Sequence, residues 1–221
     1  MMNDNLRVRL LASPDPYICV LSARACKKLL TDDDLTQHDA EKDIKTIEQV
    51  IARGHESILE HASFTFYVTG VSRILSHQLV RHRVASYAEL SQRYADAGKM
   101  EAVVPDSIAD NPDAMTMYRR SVDDANATYK GLKALGISDE DARYVLPEAT
   151  ATAIVITMNV RELRHFFALR CCNKAQTEIR NLTDAMLLLC KRKTPLFFAD
   201  AGAPCKHCPE GKYACGHPRA K

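Results

Sequence analysis

Apolar positions along this chain recur at two spacings, and the chain switches between them several times. Residues 6–12 and 17–22 are short apolar runs that predict two strands near a sheet edge. Between Asp39 and Arg53, Ile44, Ile47, Val50 and Ile51 share a helical face, and Gly54 follows as a C-terminal cap. Residues 54–61 make a polar, titratable turn. Ser63-Phe64-Thr65-Phe66-Tyr67-Val68-Thr69-Gly70 then alternates as a strand does. Ile74, Leu75, Leu79 and Val80 restore helical spacing over Arg73–Val84, and a polar loop is expected beyond it. Residues 95–110 read as loop, and Asp113–Leu135 as a long polar helix stopped by Gly136. Ser138-Asp139-Glu140-Asp141 places acids in the first turn of a further helix, which Pro147 breaks. Thr150–Thr157 alternates threonine with aliphatics and predicts a strand; 160–168 and 175–196 are helical. After Asp200 the composition shifts to Gly, Pro, Cys and Lys, a tail over 201–221.

Strands separated by long helices, without βαβ alternation, predict an α+β fold. The expectation is a mixed or antiparallel sheet packed with long helices, in one domain over residues 1–200. No G-x-G-x-x-G follows a strand, so a Rossmann site is not indicated. With 221 residues, 46% apolar and 26% charged, the chain is long enough for a substantial core. No run approaches the roughly 18 apolar residues of a membrane span, and the N-terminus lacks a basic segment leading into an apolar one. Cys19, Cys26, Cys171, Cys172 and Cys190 lie in apolar or helical contexts, whereas Cys205, Cys208 and Cys215 cluster in the tail. That distribution fits a reducing cytoplasm better than a disulfide scaffold.

Net charge is only +2, so a basic site must be local. Arg81-His82-Arg83, followed by Glu89, Ser91 and Arg93, provides one. Arginine matches phosphate and carboxylate bidentately and stays charged at any ordinary pH. If the helix persists, Gln78 and Arg81 share a face, while Arg81 and Arg83 point roughly 200° apart. The two arginines would then serve two ligands, or one ligand and a neighbouring subunit. Ser91 and nearby amides could form an anion nest beside Arg93. Glu89, the lone acid, could orient an arginine or accept from a ligand. The plain alternative is a solvated basic helix end.

Arg81-His82-Arg83, seven residues, then Ser91 resembles the signature of flavin-dependent thymidylate synthases. Gln78 and Gln92-Arg93-Tyr94 resemble that family too. So do Gly54-His55-Glu56-Ser57 with Glu60-His61, Ala142-Arg143-Tyr144-Val145-Leu146-Pro147, and the run from Asn159 through Arg161, His165 and Arg170 to Arg180. The resemblance covers residues 6 to 200. It implies reductive methylation of dUMP to dTMP, with methylenetetrahydrofolate giving the carbon and FAD, reduced by NADPH, giving the hydride. It also implies a homotetramer with active sites between subunits. By the same resemblance, His55, Ser57, Arg81, His82, Arg83, Glu89, Asn159, Arg161 and His165 contact the flavin. Gln78, Arg81, Glu89, Ser91, Gln92, Arg93, Arg143 and Arg170 bind dUMP. Arg170, at the pyrimidine N3/O2 edge, is the expected catalytic side chain, since a guanidinium there favours the ionised, electron-rich ring. Thr177 and Lys174 depart from the family's aromatic and histidine on the folate side.

Other chemistries are weaker in the sequence. Ser91 has no nucleophile elbow, and its expected role is phosphate binding. Cys171 and Cys172 follow Arg170 and invite a nucleophilic reading, but flavin hydride chemistry needs none, so packing is expected. His55 and His61 flank Glu56 and Glu60 without the spacing of a metal site, and no metal is expected. Cys205-x-x-Cys208 with Cys215-x-His217 could supply four zinc ligands, although the second half is unusually short; a reduced, metal-free tail is the favoured reading. A related pyrimidine-nucleotide hydroxymethylase is one alternative function. A nucleic-acid binder with a zinc-knuckle tail is another, and the low net charge argues against it. Neither a nucleic-acid nor a membrane partner is expected.

Overall fold

The computed structural model describes residues 5–95 and 101–219. In chain order it comprises strand β1 (Arg7–Ala12), helices α1 (Tyr17–Ala25), α2 (Asp32–Thr36) and α3 (Ala40–Ala52), and a 3-10 turn (Glu56–His61). Strand β2 (Ser63–Ser72), helix α4 (Arg73–Leu79) and strand β3 (Ala85–Glu89) follow. Helices α5 (Asp106–Ala109), α6 (Pro112–Ala134) and α7 (Asp139–Ala142) lead through a 3-10 turn (Arg143–Val145) to strand β4 (Ala151–Asn159). Helices α8 (Val160–Arg170), α9 (Thr177–Lys193) and α10 (Pro195–Phe198) complete the helical part. The four strands form one antiparallel sheet in the order β1-β2-β4-β3, so the expected α+β architecture is the one observed.

Several expectations are corrected. Residues 17–22 are helical, not a strand. The Asp15 carboxylate accepts from the Tyr17 amide at 2.9 Å, and Pro16 already has helical φ. Tyr17, Cys19 and Val20 are then the residues buried. A short apolar run fits either period, and this Asx turn with Pro16 decides it. The helix expected over 73–84 stops at Leu79, whose carbonyl accepts from the Tyr87 hydroxyl at 2.9 Å. Arg81, His82 and Arg83 therefore lie in a turn, and the helical angle between the two arginines does not apply. The polar loop expected after them is partly strand β3. Residues 96–100 of the loop expected over 95–110 lie outside the described residues, and Asp106–Ala109 of it is the short helix α5.

The described residues cluster into two compact units. The first takes 5–8, 67–81, 87–95 and 101–155; the second takes 9–66, 82–86 and 156–219. In the first unit Tyr129 of α6 is 1% exposed and packs with Ala142, Leu132, Val145 and Leu146, its hydroxyl donating to Asp139 at 2.7 Å. In the second unit an aromatic chain runs through the core. Phe198 meets Phe64 and Phe167 edge-on at ring separations of 5.4 and 5.7 Å, and Phe167 meets Phe166 at 6.0 Å. Phe166 in turn carries the ring of His82 at 4.8 Å.

Gly70 marks the tightest backbone approach in the first unit. Its φ is +73°, and a Cβ there would sit 2.0 Å from the Asn5 carbonyl oxygen. Both the left-handed backbone and the contact favour glycine. Gly70→Ala should lower unfolding free energy by about 2–4 kcal/mol, read as a lower urea midpoint at unchanged slope.

Candidate active site

Helix α8 builds the centre of the second unit's site. Asn159 caps it, its side-chain oxygen accepting from the Glu162 amide at 2.9 Å. Glu162, Phe166 and Arg170 then fall four residues apart along one stripe. The acid lies in the first turn and the guanidinium in the last, each complementing the helix dipole. His82 lies along this stripe. Its Nδ1 is 3.1 Å from Glu162 Oε1, and its Nε2 is 3.1 Å from Arg170 Nε. An arginine Nε–H can only donate. Nε2 must therefore carry the lone pair, and Nδ1–H must donate to Glu162, which assigns a neutral imidazole of one tautomer. Burial lowers the His82 pKa below 6.5, Glu162 opposes that shift, and the Arg170 charge adds to it. The ring of His165 stands edge-on 6.0 Å away.

Beside this stripe opens a cavity of about 690 Å³. Three of the expected cofactor residues, Asn159, Arg161 and His165, line it, with Glu56, Glu60 and Glu162 among the acids. Arg161 is ion-paired to Glu60. Arg164 is fixed more firmly, with two hydrogen bonds to Asp200 at 2.8 and 3.0 Å and one to the Phe197 carbonyl at 2.7 Å. His55, Ser57 and Arg83 are exposed in the same unit and are not among the residues lining the cavity. His61 is exposed at the end of the 3-10 turn. Glu56 and Glu60, the acids between the two histidines, face Arg164 and Arg161.

The first unit holds Gln78, Arg81, Glu89, Ser91, Gln92, Arg93 and Arg143. Glu140 links two of the arginines. Its carboxylate pairs with Arg93 at 3.2 Å, and its carbonyl accepts from Arg143 Nε at 3.1 Å. Gln92 is buried, whereas Arg81 and Arg93 are exposed. The Arg93 amide donates to the Ser91 hydroxyl at 3.2 Å, and the Tyr94 and Ala95 amides donate to the Ser91 carbonyl at 3.3 and 3.0 Å. These three amides close the turn on itself, so they do not form the expected anion nest. Glu89 faces Arg73 at 3.5 Å, and Arg73 also donates to the Leu90 carbonyl at 2.9 Å. The expected orienting role for Glu89 thus falls on Arg73.

Cys171 is buried, and burial pushes its thiol up to about 12, which makes it a poor nucleophile. Glu162, Glu140 and Arg73 were not among the expected site residues, although they contact His82, Arg93 and Glu89. Only Glu162 carried a legible signal, the four-residue spacing of acid, aromatic and arginine on α8.

A family model described as Thymidylate synthase complementing protein matches residues 9–196. A flavin-dependent thymidylate synthase of Nitratidesulfovibrio vulgaris is 46% identical over 190 residues, 80% of this chain and 78% of its own. That of Geobacter sulfurreducens is 44% identical, covering 92% of this chain and 90% of its own. That of Clostridium tetani is 37% identical, covering 96% and 93%.

The neutral His82 sets a pH dependence. Above its ordinary value of 6.5, folded and unfolded chains both carry it neutral. Below that value the unfolded chain binds a proton that the folded chain resists, so stability falls as pH drops. Between about pH 7 and pH 5.5 the wild-type Tm should fall more steeply than that of His82→Gln, as followed by circular dichroism.

Proposed function

The chain belongs to the flavin-dependent thymidylate synthase family, and on that premise we propose that it converts dUMP to dTMP by reductive methylation. Methylenetetrahydrofolate would supply the carbon. FAD, reduced by NADPH, would supply the hydride. The residues lining the α8 cavity suit such a cofactor. A space of about 690 Å³ lies within the range of cofactor sites. Arg161, His165 and Asn159 bring a cation, a ring N–H and an amide to its wall, donors that phosphate and flavin acceptors require. His82, Arg83, His55 and Ser57 belong with them in this reading, and Arg81 and Glu89 serve cofactor and substrate alike.

Gln78, Ser91, Gln92, Arg93 and Arg143 would bind the nucleotide, with Arg93 and Arg143 neutralising its phosphate. Arg170 would lie along the N3/O2 edge of the pyrimidine and favour its ionised form, which activates C5. The observation that carries this role is the anchoring of Arg170 Nε on a neutral His82, which fixes the plane of the guanidinium. In this reading the protein is a homotetramer in which a second chain completes each site, and the exposed Arg81 and Arg83 are available to meet it. The cysteine distribution suits a cytoplasmic setting, and among the described residues no helix is long and apolar enough to cross a membrane.

Tritium release from 5-labelled dUMP, with NADPH, FAD and methylenetetrahydrofolate, should be FAD-dependent and yield dTMP by mass. A folded protein without FAD-dependent release would overturn the assignment. Arg170→Ala should lower kcat by on the order of 10²–10³ while the flavin stays bound. Arg143→Ala should instead act mainly on the KM for dUMP.

A further inference from the structure

Residues 201–219 do not form a free tail. Arg219 donates two hydrogen bonds to Asp184 of α9, at 2.8 and 2.7 Å, and a third to the Cys171 carbonyl at 2.7 Å. Lys174 reaches the Glu210 carboxylate at 2.8 Å and the Tyr213 carbonyl at 3.1 Å. Asn173 donates to the His217 carbonyl at 2.6 Å. All of these partners belong to the second unit, and together they lay the segment over the connection between α8 and α9.

The segment and that connection enclose a cavity of about 510 Å³, and four of the eight cysteines line it: Cys172, Cys205, Cys208 and Cys215. His217, the fourth ligand suggested by sequence spacing, is not among the lining residues. Two of the sulfurs already accept backbone N–H groups. The Arg219 amide donates to Cys205 Sγ at 3.3 Å, and the His217 amide donates to Cys215 Sγ at 3.4 Å. As a thiol, Cys215 also donates back to the His217 carbonyl at 3.4 Å. Gly216, with φ +73°, supplies the left-handed turn that brings the His217 amide back to the sulfur. The Lys174 side chain lines the same cavity. Amide donors and nearby cations both stabilise thiolate sulfur and orient it as a metal ligand.

We infer that Cys172, Cys205, Cys208 and Cys215 bind one zinc-class divalent ion that ties the C-terminal segment to the turn following Arg170. Four thiolates select a thiophilic ion over magnesium or calcium. A tetrathiolate around a divalent ion is doubly negative; the nearby cations Lys174 and Arg219 are each already paired with a carboxylate, so backbone N–H donors to the sulfurs carry the stabilisation. Each sulfur gives up its proton to solvent as its bond to the ion forms, with no change of oxidation state. Among the described residues no three His, Cys, Asp or Glu side chains are already gathered for a metal. Binding therefore requires side-chain rotation into the cavity, towards Zn–S distances of about 2.3 Å.

The inference is independent of the proposed reaction, because metal content is measured without flavin turnover or nucleotide. The reduced full-length protein is supplied with zinc and freed of excess ion, and then zinc, iron, sulfide and free thiols are measured. About one zinc per chain is expected. Zinc content should fall roughly tenfold or more in Cys172→Ser and in Cys208→Ser, and stay unchanged in His217→Ala and Cys26→Ser. Cys208 is exposed, so its variant retains the fold and keeps the test decisive should Cys172→Ser misfold. Cobalt in place of zinc should give the absorption of a tetrahedral sulfur site, to the red of any flavin band. A wild-type protein without zinc overturns the inference. So does retention of zinc by both serine variants, loss of zinc in His217→Ala, iron with sulfide in place of zinc, or a disulfide among the four cysteines.

Discussion

The neutral, buried ring of His82, held between an acid and a guanidinium, is the constraint on which the second unit's site depends. Arg170 presents an N–H to Nε2, so protonation there would set two donors against each other. Glu162 accepts a hydrogen bond from Nδ1–H, and the two hydrogen bonds together keep the ring from turning. The Phe166 edge beneath it removes water, which makes both hydrogen bonds stronger and any error in them costlier. Because Glu162 and Arg170 project from one helix, the same eight-residue span that packs the core also sets the distance between them.

That helix is held at both ends. Asn159 caps its start, so the register that places Glu162 under His82 begins at the sheet. At its far end Cys171 is buried, and its carbonyl is taken by Arg219. Arg164, one turn in, is clamped to Asp200 and the Phe197 carbonyl on the side next to the aromatic core. Two of the buried phenylalanines, Phe166 and Phe167, are consecutive on α8. One supports the histidine and the other the core, so core packing and site geometry are not separable.

Much of this was legible in the residues. The period of apolar positions placed β1, β2, β4, α3, α6, α8 and α9 because each is long enough, or capped clearly enough, for one period to dominate. It failed at residues 17–22, where six residues fit a strand as well as a helix and an Asx turn from Asp15 decides the matter. It failed again past Leu79, where a tertiary hydrogen bond from Tyr87 ends the helix. Within the site, Asn159, Arg161 and His165 were found because they sit in one ordered motif. Glu140 was not, because its acid looks like an ordinary first-turn residue until a distant loop brings Arg93 against it. In the tail, spacing along the chain pairs Cys215 with His217, whereas the fold lines one cavity with Cys172 and the three tail cysteines and leaves His217 out of that lining.

The arginines differ in what their carboxylate partners are for, and the division does not follow the two units. Arg164 is only 15% exposed, and its three hydrogen bonds to Asp200 and Phe197 leave the guanidinium fixed. Breaking that set would strand a largely buried charge, so it is structural. Arg161 with Glu60 and Arg93 with Glu140 are about half exposed. Pairs of that kind contribute little in water and cost little to give up. A phosphate, carrying more charge and more acceptor oxygens than one carboxylate, competes well for such a guanidinium. The exposed acids therefore hold the arginines in place without occupying them irreversibly. On the proposed assignment this division follows the chemistry: the cations meant to meet a ligand carry exchangeable partners, and the cation that holds α8 in place does not.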